Sequence, residues 1–442
     1  MYLLSTALST LFALYICPPK PPPFPTTPSK ITIPWLTSTL SLGPSLSIKS
    51  LKVDKPSDSE QGMTSSVAFL KIEWEGDPSQ VASAPKSIVV KYTLPEADIG
   101  LRVLFRLSKL ATREAGFLRT SGPKVPPPLR QDIPSPLLYF FGIVEATQDF
   151  IILMEDMRER DRQLKPGVQG QTSIEDARKI LKLQAKLHAK YMDREHQSAA
   201  RQFAPKPSDA SQAFIVPVLK KSWPKFKKWA KAMGLDVEAV KSCGDEVVAK
   251  GKRWSDIVAT EPVSLVHGDS HCENYLYTEG SETDQVSMID FQLAAISQPL
   301  FDVANFLVLS LSSENFDGYF EELLDFYYAE LTGHVQLDPN TNANIGNGES
   351  LTLSDAKRRF GAGLVYTLML ESVGVATASE ASLNKQGQKR AEVAKKIINA
   401  IKTVEKVSGE PVSFYSYGDA GKDGAGNIHN GMSNNKVAPE AP

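Results

Sequence analysis

Two acidic residues that follow short apolar runs, and one amide between them, form the clearest chemical pattern in the sequence. Asp269 follows the run 263–266, Asn274 stands five residues later, and the run 285–289 ends at Asp290. Transfer of a phosphoryl group to a hydroxyl needs a carboxylate that orients the hydroxyl and accepts its proton, and oxygen ligands that hold Mg²⁺ against nucleotide phosphates. An Asp-x4-Asn loop followed by a second Asp on a neighbouring strand supplies both. The spacing therefore predicts a phosphoryl-transfer site.

A lysine and a glutamate in the first half of the chain have the types and positions of a phosphate-binding pair. Lys91 interrupts the β-branched run 87–93, and Glu114 lies on the apolar stripe of the helical pattern 103–118. A carboxylate on the inward face of a helix is costly unless it is paired, and Lys91 is an available partner. A lysine oriented in this way can hold the α- and β-phosphates of a nucleotide. The alternative is a lysine that points from its strand into solvent.

The segments around these residues predict strands in the first half of the chain and helices in the second. Apolar residues at a spacing of two predict a sheet of about five strands. These strands include the runs 67–74, 87–93, 137–144 and 150–154. Polarity returns at Glu155 and Asp156, which suits a strand that leaves one lobe for another. Ser173 has the character of a helix N-cap, and a helical stripe of apolar residues follows it.

Composition excludes several classes of protein. The chain has 442 residues, of which 42% are hydrophobic and 23% are charged, as is ordinary for a soluble globular protein. Its 49 Lys and Arg against 51 Asp and Glu give a formal net charge of −2, which disfavours a general nucleic-acid binder. The three cysteines, Cys17, Cys243 and Cys272, form no CxxC pair and are too few for a disulfide framework, so a reducing compartment is expected.

The two ends of the chain differ in composition from its middle. Residues 1–30 begin with an apolar stretch shorter than the ~20 residues that span a bilayer. No Lys or Arg precedes this stretch, so it lacks the basic start of a secretory signal, and no stable membrane span is expected. The segment is predicted to be a weakly ordered leader or an organelle transit peptide, which implies a cytoplasmic or an organellar location. Residues 409–442, rich in Gly, Asn, Ser and Pro, are predicted to be a flexible tail.

Several motifs resemble those of a known superfamily. HGDSHCEN at 267–274, IDFQ at 289–292 and PLFDVA at 299–304 resemble the aminoglycoside phosphotransferase and choline kinase superfamily. Within it, IDFQ, the Val-Val-Lys strand, Arg113-Glu114 and the Gly62-Met63-Thr64-Ser65 turn look like the ecdysteroid-kinase-like family. The resemblance covers about residues 33–407. It implies an α+β, protein-kinase-like fold with a small β-rich nucleotide-binding lobe at 31–155 and a larger, mostly helical catalytic and substrate lobe at 156–408.

The resemblance also implies a role for each matching residue. Asp269 would be the catalytic base, and Asn274 and Asp290 would hold Mg²⁺. Lys91, held by Glu114, would bind the α- and β-phosphates of ATP. Asp302 would brace the catalytic loop through hydrogen bonds. The loop over the phosphates would consist of Gly62, Met63, Thr64, Ser65 and Ser66, and the hinge that meets adenine would consist of Leu153, Met154, Glu155 and Asp156.

The implied activity is ATP-dependent transfer of phosphate to an alcohol group of a small molecule. Only about ten residues separate Gln292 from Asp302, which leaves little room for an activation loop that would seat a peptide. The resemblance suggests a steroid, choline-like or aminoglycoside alcohol, with a lean towards an apolar acceptor. Its pocket is predicted in the helical lobe, between about residues 193 and 261 and along 302–375. Most aromatic residues of these segments are expected to be ordinary core.

Two other functions fit parts of the pattern. A catalytically silent pseudokinase would act as a binding module. The four groups that phosphoryl transfer requires are nevertheless present, namely Lys91, Asp269, Asn274 and Asp290. A zinc hydrolase would use His267, Asp269 and His271, which alternate and would share one face of a strand. The zinc alternative leaves Lys91 and Glu114 unexplained.

Overall fold

The computed structural model describes residues 22–40, 45–54, 65–93, 99–120, 133–159, 164–206, 209, 215–251, 257–278, 285–335, 351–378 and 380–413. Gly62, Met63 and Thr64 of the predicted phosphate loop lie outside the described residues. The same holds for residues 1–21 of the predicted leader and 414–442 of the predicted tail.

An antiparallel sheet of five strands is the centre of the N-terminal lobe in the part of the chain that the structure describes. Its strands are β1 (Leu46–Asp54), β2 (Ser65–Gly76), β3 (Ser87–Thr93), β4 (Leu138–Val144) and β5 (Asp149–Glu155). They pair in the order β1-β2-β3-β5-β4. The predicted sheet is confirmed, and β1 is additional to the runs from which it was inferred.

Alternation along the strands gives this sheet two faces with different neighbours. Ile88 and Leu153 point to one face and pack beneath α1 (Ile33–Thr39). Lys91 and Met154 stand at alternate positions and point to the opposite face, towards the C-terminal lobe. A strand lysine therefore faces the space between the lobes.

The helical pattern at 103–118 corresponds to parts of two helices, so the prediction of one continuous helix is wrong. After α2 (Pro78–Ser83), the chain forms α3 (Ile99–Ser108) and α4 (Leu110–Arg119). Lys109 separates them with a φ of 53°, in the left-handed region. Apolar residues at spacings of three and four continue across the break, so the stripe alone does not reveal it.

The C-terminal lobe is mostly helical. Its helices within the described residues are α5 (Ile174–Met192), α6 (Arg194–Ala200), α7 (Ile215–Ala232), α8 (Lys241–Ala249), α9 (Pro299–Ser310), α10 (Ser313–His334), α11 (Leu353–Thr377) and α12 (Glu380–Ser408). The predicted cap of α5 is confirmed, because the Oγ of Ser173 accepts the N–H of Asp176 at 3.1 Å. The chain thus has the predicted α+β fold of two lobes.

Short strands carry the loops that hold the chemical motifs. They are β6 (Lys165–Pro166), β7 (Ser264–Val266), β8 (Tyr275–Tyr277), β9 (Val286–Met288) and β10 (Ala295–Ser297). They form two small sheets, β6-β8-β9 and β10-β7. Hydrogen bonding between β8 and β9 makes the hairpin on which Asn274 and Asp290 meet.

Among the residues that the structure describes, one helix has the length and composition to cross a membrane. α11 has 25 residues, and 61% of its apolar window is buried inside the fold. It packs against α9 and α7. These contacts are those of a core helix.

Candidate active site

The ammonium of Lys91 lies in an ion cluster between the two lobes. Its Nζ is 2.8 Å from Oδ1 of Asp290, 2.9 Å from Oε2 of Glu114 and 3.2 Å from Oε1 of Glu114. Lys91 comes from β3, Glu114 from α4, and Asp290 follows β9. The predicted contact between Lys91 and Glu114 is therefore present, and the same ammonium also contacts Asp290.

Burial differs sharply within this cluster. Lys91 is 3% and Glu114 is 1% exposed, whereas the side chain of Asp290 is 37% exposed. Burial would lower the pKa of the Lys91 ammonium, but Asp290 and Glu114 outweigh this effect, so its pKa lies above the ordinary value. Lys91 is consequently charged at neutral pH, and the cluster opens to solvent on the side of Asp290.

Asp302 holds the start of the loop 267–274. Its Oδ2 accepts the N–H of His267 at 2.6 Å, and its Oδ1 accepts the N–H of Gly268 at 2.9 Å. Nε2 of His188 lies 3.2 Å from Oδ2 of Asp302, and Nδ1 of the same ring lies 2.7 Å from the hydroxyl of Tyr327. Asp302 also occupies the first turn of α9, where the helix dipole favours a carboxylate. The loop is thus anchored to three helices of the C-terminal lobe.

Gly268 makes the turn that presents Asp269. Its φ of 81° lies in the left-handed region, and a Cβ built on it would lie 2.2 Å from the carbonyl oxygen of Leu293. Only glycine fits a backbone of this conformation at such a close approach. The loop 267–274 is therefore in direct contact with the segment that follows Asp290.

Asp269 and Asn274 flank the inner part of that loop. The side chain of Asp269 is 42% exposed, so another molecule can reach it. Nδ2 of Asn274 donates to the backbone oxygen of Asp269 at 2.8 Å, which leaves Oδ1 as the amide's ligand atom. The N–H of Ile289 donates to the carbonyl of Asn274 at 3.0 Å, and Asp290 is the next residue. The hairpin thus brings Asn274 and Asp290 side by side.

The donors of this site fit Mg²⁺. The exposed carboxylate of Asp290 and the amide oxygen of Asn274 are hard oxygen ligands of the type Mg²⁺ prefers. Asp290 has φ 65° and ψ 58°, a left-handed conformation that is uncommon outside glycine and concentrates at functional sites. Among the described residues, no group of three or more His, Cys, Asp and Glu forms a metal site of its own. A metal held here would draw its remaining ligands from water or from a bound phosphate.

His271 lies beside the exposed Asp269. Its Nε2 is 3.7 Å from Oδ1 of Asp269, and its Nδ1 is 3.5 Å from Oε2 of Glu273. Burial would raise the pKa of Asp269, but the imidazole of His271 and the charge of Lys91 outweigh it, so this pKa lies below its ordinary value. Burial would lower the pKa of His271, but Asp269 and Glu273 outweigh it, so this pKa is raised. Asp269 is therefore ionised at neutral pH.

The predicted zinc arrangement of His267, Asp269 and His271 is not formed. Nε2 of His267 lies 2.8 Å from the carbonyl oxygen of Ile289, and its Nδ1 accepts the N–H of Asp269 at 3.3 Å. Both ring nitrogens are thus engaged with the backbone. This geometry removes His267 as a metal ligand and leaves the zinc hydrolase without support.

The part of the predicted phosphate loop that the structure describes begins β2. Ser65 and Ser66 are both buried. The Oγ of Ser65 accepts a hydrogen bond from Nε2 of Gln292 at 3.2 Å. The strand that follows the loop therefore contacts the segment after Asp290, across the two lobes.

The predicted hinge divides between two environments. Leu153 is buried under α1, on the face of the sheet opposite to Lys91, whereas Met154 points to the same face as Lys91. The N–H of Glu155 donates to the carbonyl of Leu137 at 2.9 Å. Met154 is thus the only predicted hinge side chain within β5 that faces the cleft and is buried there.

Asp156, the last predicted hinge residue, ties the interlobe connection to the sheet. It accepts hydrogen bonds from the hydroxyl of Ser87 at 2.8 Å and from Nε of Arg158 at 2.9 Å. The guanidinium of Arg158 in turn lies 4.3 Å from the ring centroid of Phe69. Sequence reasoning missed Ser87 and Arg158, because nothing in their spacing signals the contact.

Comparison with sequence families identifies the chain. The Ecdysteroid kinase-like family matches residues 61–337, which is more than half of the chain. The chain belongs to this family. No curated protein matches it. The family match includes Lys91, Glu114, Asp269 and Asp290, and it includes the phosphate loop predicted from the same resemblance.

Solved structures similar to this ecdysteroid kinase-like chain include three kinases of small molecules. An ethanolamine kinase from Plasmodium vivax is 14% identical, with a TM-score of 0.41, and the match covers 78% of this chain and 82% of that one. Choline kinase LicA from Streptococcus pneumoniae is 14% identical, with a TM-score of 0.40 and coverage of 84% and 98%. A GDP complex of aminoglycoside 2'-phosphotransferase-IIIa is 13% identical, with a TM-score of 0.38 and coverage of 84% and 96%.

The aromatic residues expected along the acceptor pocket of this ecdysteroid kinase-like protein are mostly core. Trp223 is 1% and Phe226 is 0% exposed, as expected of core residues. Tyr366 is half-buried and stacks on Phe301 with 4.8 Å between ring centroids. Tyr319 is 42% exposed. Trp223 and Phe226 are therefore unavailable to an acceptor.

Proposed function

We propose that this protein is an ATP-dependent kinase that transfers the γ-phosphoryl group to a hydroxyl of a small molecule. The observation that carries the proposal is the meeting of Lys91 with Asp290 at 2.8 Å, beside an exposed Asp269. A buried cation from one lobe and two acidic groups from the other are what phosphoryl transfer requires of its enzyme. The family to which the chain belongs supports the same reaction class.

Each residue has a distinct task in this reaction. Lys91, kept charged and oriented by Glu114, binds the α- and β-phosphate oxygens. Asp269 accepts a hydrogen bond from the acceptor hydroxyl and orients the hydroxyl oxygen towards the γ-phosphorus. It then takes the proton of that hydroxyl. As the new O–P bond forms, the bond to the β,γ-bridging oxygen breaks, and ADP leaves with that oxygen. Catalysis is mostly positioning and charge neutralisation.

Asp290 and Asn274 would hold Mg²⁺ in this reaction. When bound, Mg²⁺ neutralises the charge that develops on the phosphate oxygens. The contact between Nδ2 of Asn274 and the backbone of Asp269 keeps the amide oxygen turned away from the loop. The exposed side of Asp290 leaves room for a metal and a nucleotide together.

The surroundings of Asp269 favour a small acceptor with an apolar body. Val168 and Leu293 are 53% and 37% exposed, and both border the catalytic loop. The N–H of Gly167, next to Val168, donates to the loop carbonyl of Cys272 at 3.1 Å, and Leu293 abuts Gly268. Exposed apolar side chains at a site mouth suit an apolar ligand.

The test is a screen of alcohols with Mg·ATP, with phosphorylated products detected by mass spectrometry. The wild type should phosphorylate at least one alcohol, and Asp269→Asn should lower the rate by about 10²–10⁴-fold, the usual contribution of a general base. Asp325→Asn is the matched control, because Asp325 is an exposed residue of α10 whose Oδ1 lies 3.5 Å from Nζ of Lys357, away from the site. Equal rates for the wild type and Asp269→Asn would contradict the role of Asp269.

The alternative is a binding module that holds a nucleotide without transferring its phosphate. The same screen separates the two functions. If the wild type binds Mg·ATP but phosphorylates none of the alcohols in the screen, the function as a binding module is favoured.

A further inference from the structure

A buried arginine joins the N-terminal lobe to the segment after Asp290. Arg113 lies in α4 next to Glu114 and is 4% exposed. Its Nη1 donates to the carbonyl oxygen of Ala294 at 3.2 Å and reaches that of Leu293 at 3.5 Å. Burial lowers its pKa to about 10, so the guanidinium is still charged at neutral pH. Burying a charged guanidinium costs free energy. None of the tasks proposed above for the other site residues involves Arg113.

The two carbonyl groups belong to the short helical turn that starts at Asp290. This turn is a 3₁₀ helix, Phe291–Leu293, and it begins directly after the left-handed backbone of Asp290. The ring of Phe291 stacks on Phe117 of α4 with 3.4 Å between centroids. α4 therefore holds this turn in two ways. Phe117 packs on the ring of Phe291, and Arg113 donates to the carbonyl groups at the end of the turn.

The same turn also contacts the catalytic loop. The carbonyl oxygen of Leu293 lies only 2.2 Å from the place where a Cβ on Gly268 would stand. A displacement of Leu293 would therefore move both the backbone of Asp290 and the turn that presents Asp269. Arg113 holds the carbonyl group through which the two motifs touch.

We propose that Arg113 is a positioning residue that sets the carboxylate of Asp290 for metal binding by holding the carbonyl groups of Leu293 and Ala294. The inference rests on the proposed function in one respect, namely that Asp290 is a metal ligand. α4 then fixes Asp290 from two sides, because Glu114 acts through the ammonium of Lys91 and Arg113 acts through the backbone.

An arginine suits this task because its planar guanidinium can donate to two carbonyl oxygens at once. A lysine at the same position would offer a single charged atom, and a methionine would fill the volume without any donor. A guanidinium that only stabilised the fold would change the free energy of unfolding when replaced. It would leave the metal requirement of the folded protein unchanged.

The experiment measures how nucleotide binding depends on Mg²⁺, using the fluorescence of mant-ATP and no acceptor. For Arg113→Met, the Mg²⁺ concentration at half-maximal binding should rise by about 10- to 100-fold, as for other groups that orient metal ligands. Arg113→Lys should shift it less, in the same direction. Arg119→Met is the matched control, because Arg119 lies on α4, is exposed and contacts Phe141. Binding of mant-ATP in EDTA should be equal in all four proteins.

An unchanged Mg²⁺ midpoint in a folded Arg113→Met protein would overturn the proposal. If that variant does not fold, Arg113→Lys decides, and an unchanged midpoint there overturns it as well. Asp290→Asn serves as the reference and should abolish the dependence on Mg²⁺. Wild-type binding that depends on Mg²⁺ without any transfer would contradict only the proposed kinase activity. Wild-type binding that is independent of Mg²⁺ would contradict both.

Discussion

Nζ of Lys91 and Oδ1 of Asp290 lie 2.8 Å apart although 199 residues separate them in the chain. The contact joins the sheet of one lobe to the hairpin of the other. Glu114 contacts the same ammonium from the buried side. Because Asp290 is the exposed member, a metal and a nucleotide would approach the cluster from its side, while Glu114 keeps Lys91 in place.

Removing the charge of Lys91 should destabilise the protein strongly. Lys91→Met leaves the carboxylate of Glu114 buried without its cation, which should cost about 3–5 kcal/mol in the free energy of unfolding at neutral pH. The double variant Lys91→Met/Glu114→Met removes both charges and should recover most of that loss. Urea denaturation measures all three proteins.

The control for this experiment is an exposed ion pair. Nζ of Lys357 lies 3.5 Å from Oε2 of Glu321, and both side chains are at least 40% exposed. Lys357→Met should therefore change the free energy of unfolding by at most about 1 kcal/mol. If the double variant at Lys91 and Glu114 is as unstable as Lys91→Met, the buried charge of Glu114 is not the cause.

The two-lobed fold was implied by the family resemblance, whereas the main strands were predictable from residue types and their spacing. The apolar residues in the runs around Lys91 and Leu153 indicate strands that are buried in a sheet, and the predicted run 87–93 coincides with β3. The spacing of Asp269, Asn274 and Asp290 follows from a loop and a hairpin, and both are present. These features are local in the chain, so residue types and periodicity carry them.

Contacts between distant segments were not predictable in the same way. The break at Lys109 has no signal in residue type, because a lysine has no preference for the left-handed region. The hydrogen bonds from Arg113 to Ala294 depend on how α4 packs against a turn 181 residues further along the chain. His188 lies on the helical stripe that follows Ser173, but its contacts with Asp302 and Tyr327 follow only from the fold.

Gly268→Ala should lower both stability and the rate of transfer. A left-handed backbone costs a residue with a Cβ roughly 1–2 kcal/mol, and here the Cβ would also meet the carbonyl oxygen of Leu293 at 2.2 Å. Relief of that contact must move Leu293 or the loop that carries Asp269. Thermal unfolding gives the first effect, and the rate with the best acceptor, or of ATP hydrolysis if no acceptor is found, gives the second.

Gly318→Ala is the control for that substitution. Gly318 lies on the exposed side of α10, and a Cβ there would meet nothing within 4 Å. Alanine should therefore stabilise the helix by about 0.5–1 kcal/mol and leave the rate unchanged. A Gly268→Ala protein with wild-type rate and stability would show that the loop does not need this glycine.

The stabilising effect of Asp156 should disappear at acid pH. Burial would raise the pKa of Asp156, but hydrogen bonds from Arg158 and Ser87 outweigh it, so its pKa in the folded protein lies below the ordinary value. A carboxylate with a lowered pKa contributes stability above its unfolded pKa, ~3.9 for Asp, and loses it as the pH falls through the folded value.

The comparison is between the wild type and Asp156→Asn in urea at several pH values. The free energy of unfolding of the variant should be lower by a constant amount above about pH 5, where Asp is ionised in both states. The difference should shrink as the pH falls below about 4. A difference that grows on acidification would mean that Asp156 is not held as a charged acceptor by Ser87 and Arg158.

Asp302 offers the sharpest distinction between a brace for the catalytic loop and a core residue. Asp302→Asn keeps one acceptor oxygen but places an NH₂ group against a backbone N–H of His267 or Gly268, which should cost about 1–3 kcal/mol. Because these N–H groups begin the loop that presents Asp269, the rate of transfer should fall as well.

Tyr327→Phe removes the hydroxyl from the other side of His188 without touching the loop. It should lower the free energy of unfolding by about 1 kcal/mol and leave the rate nearly unchanged. Urea denaturation and steady-state kinetics on both variants separate the two effects, and rates that fall in parallel with stability in both would argue that Asp302 acts only through the core.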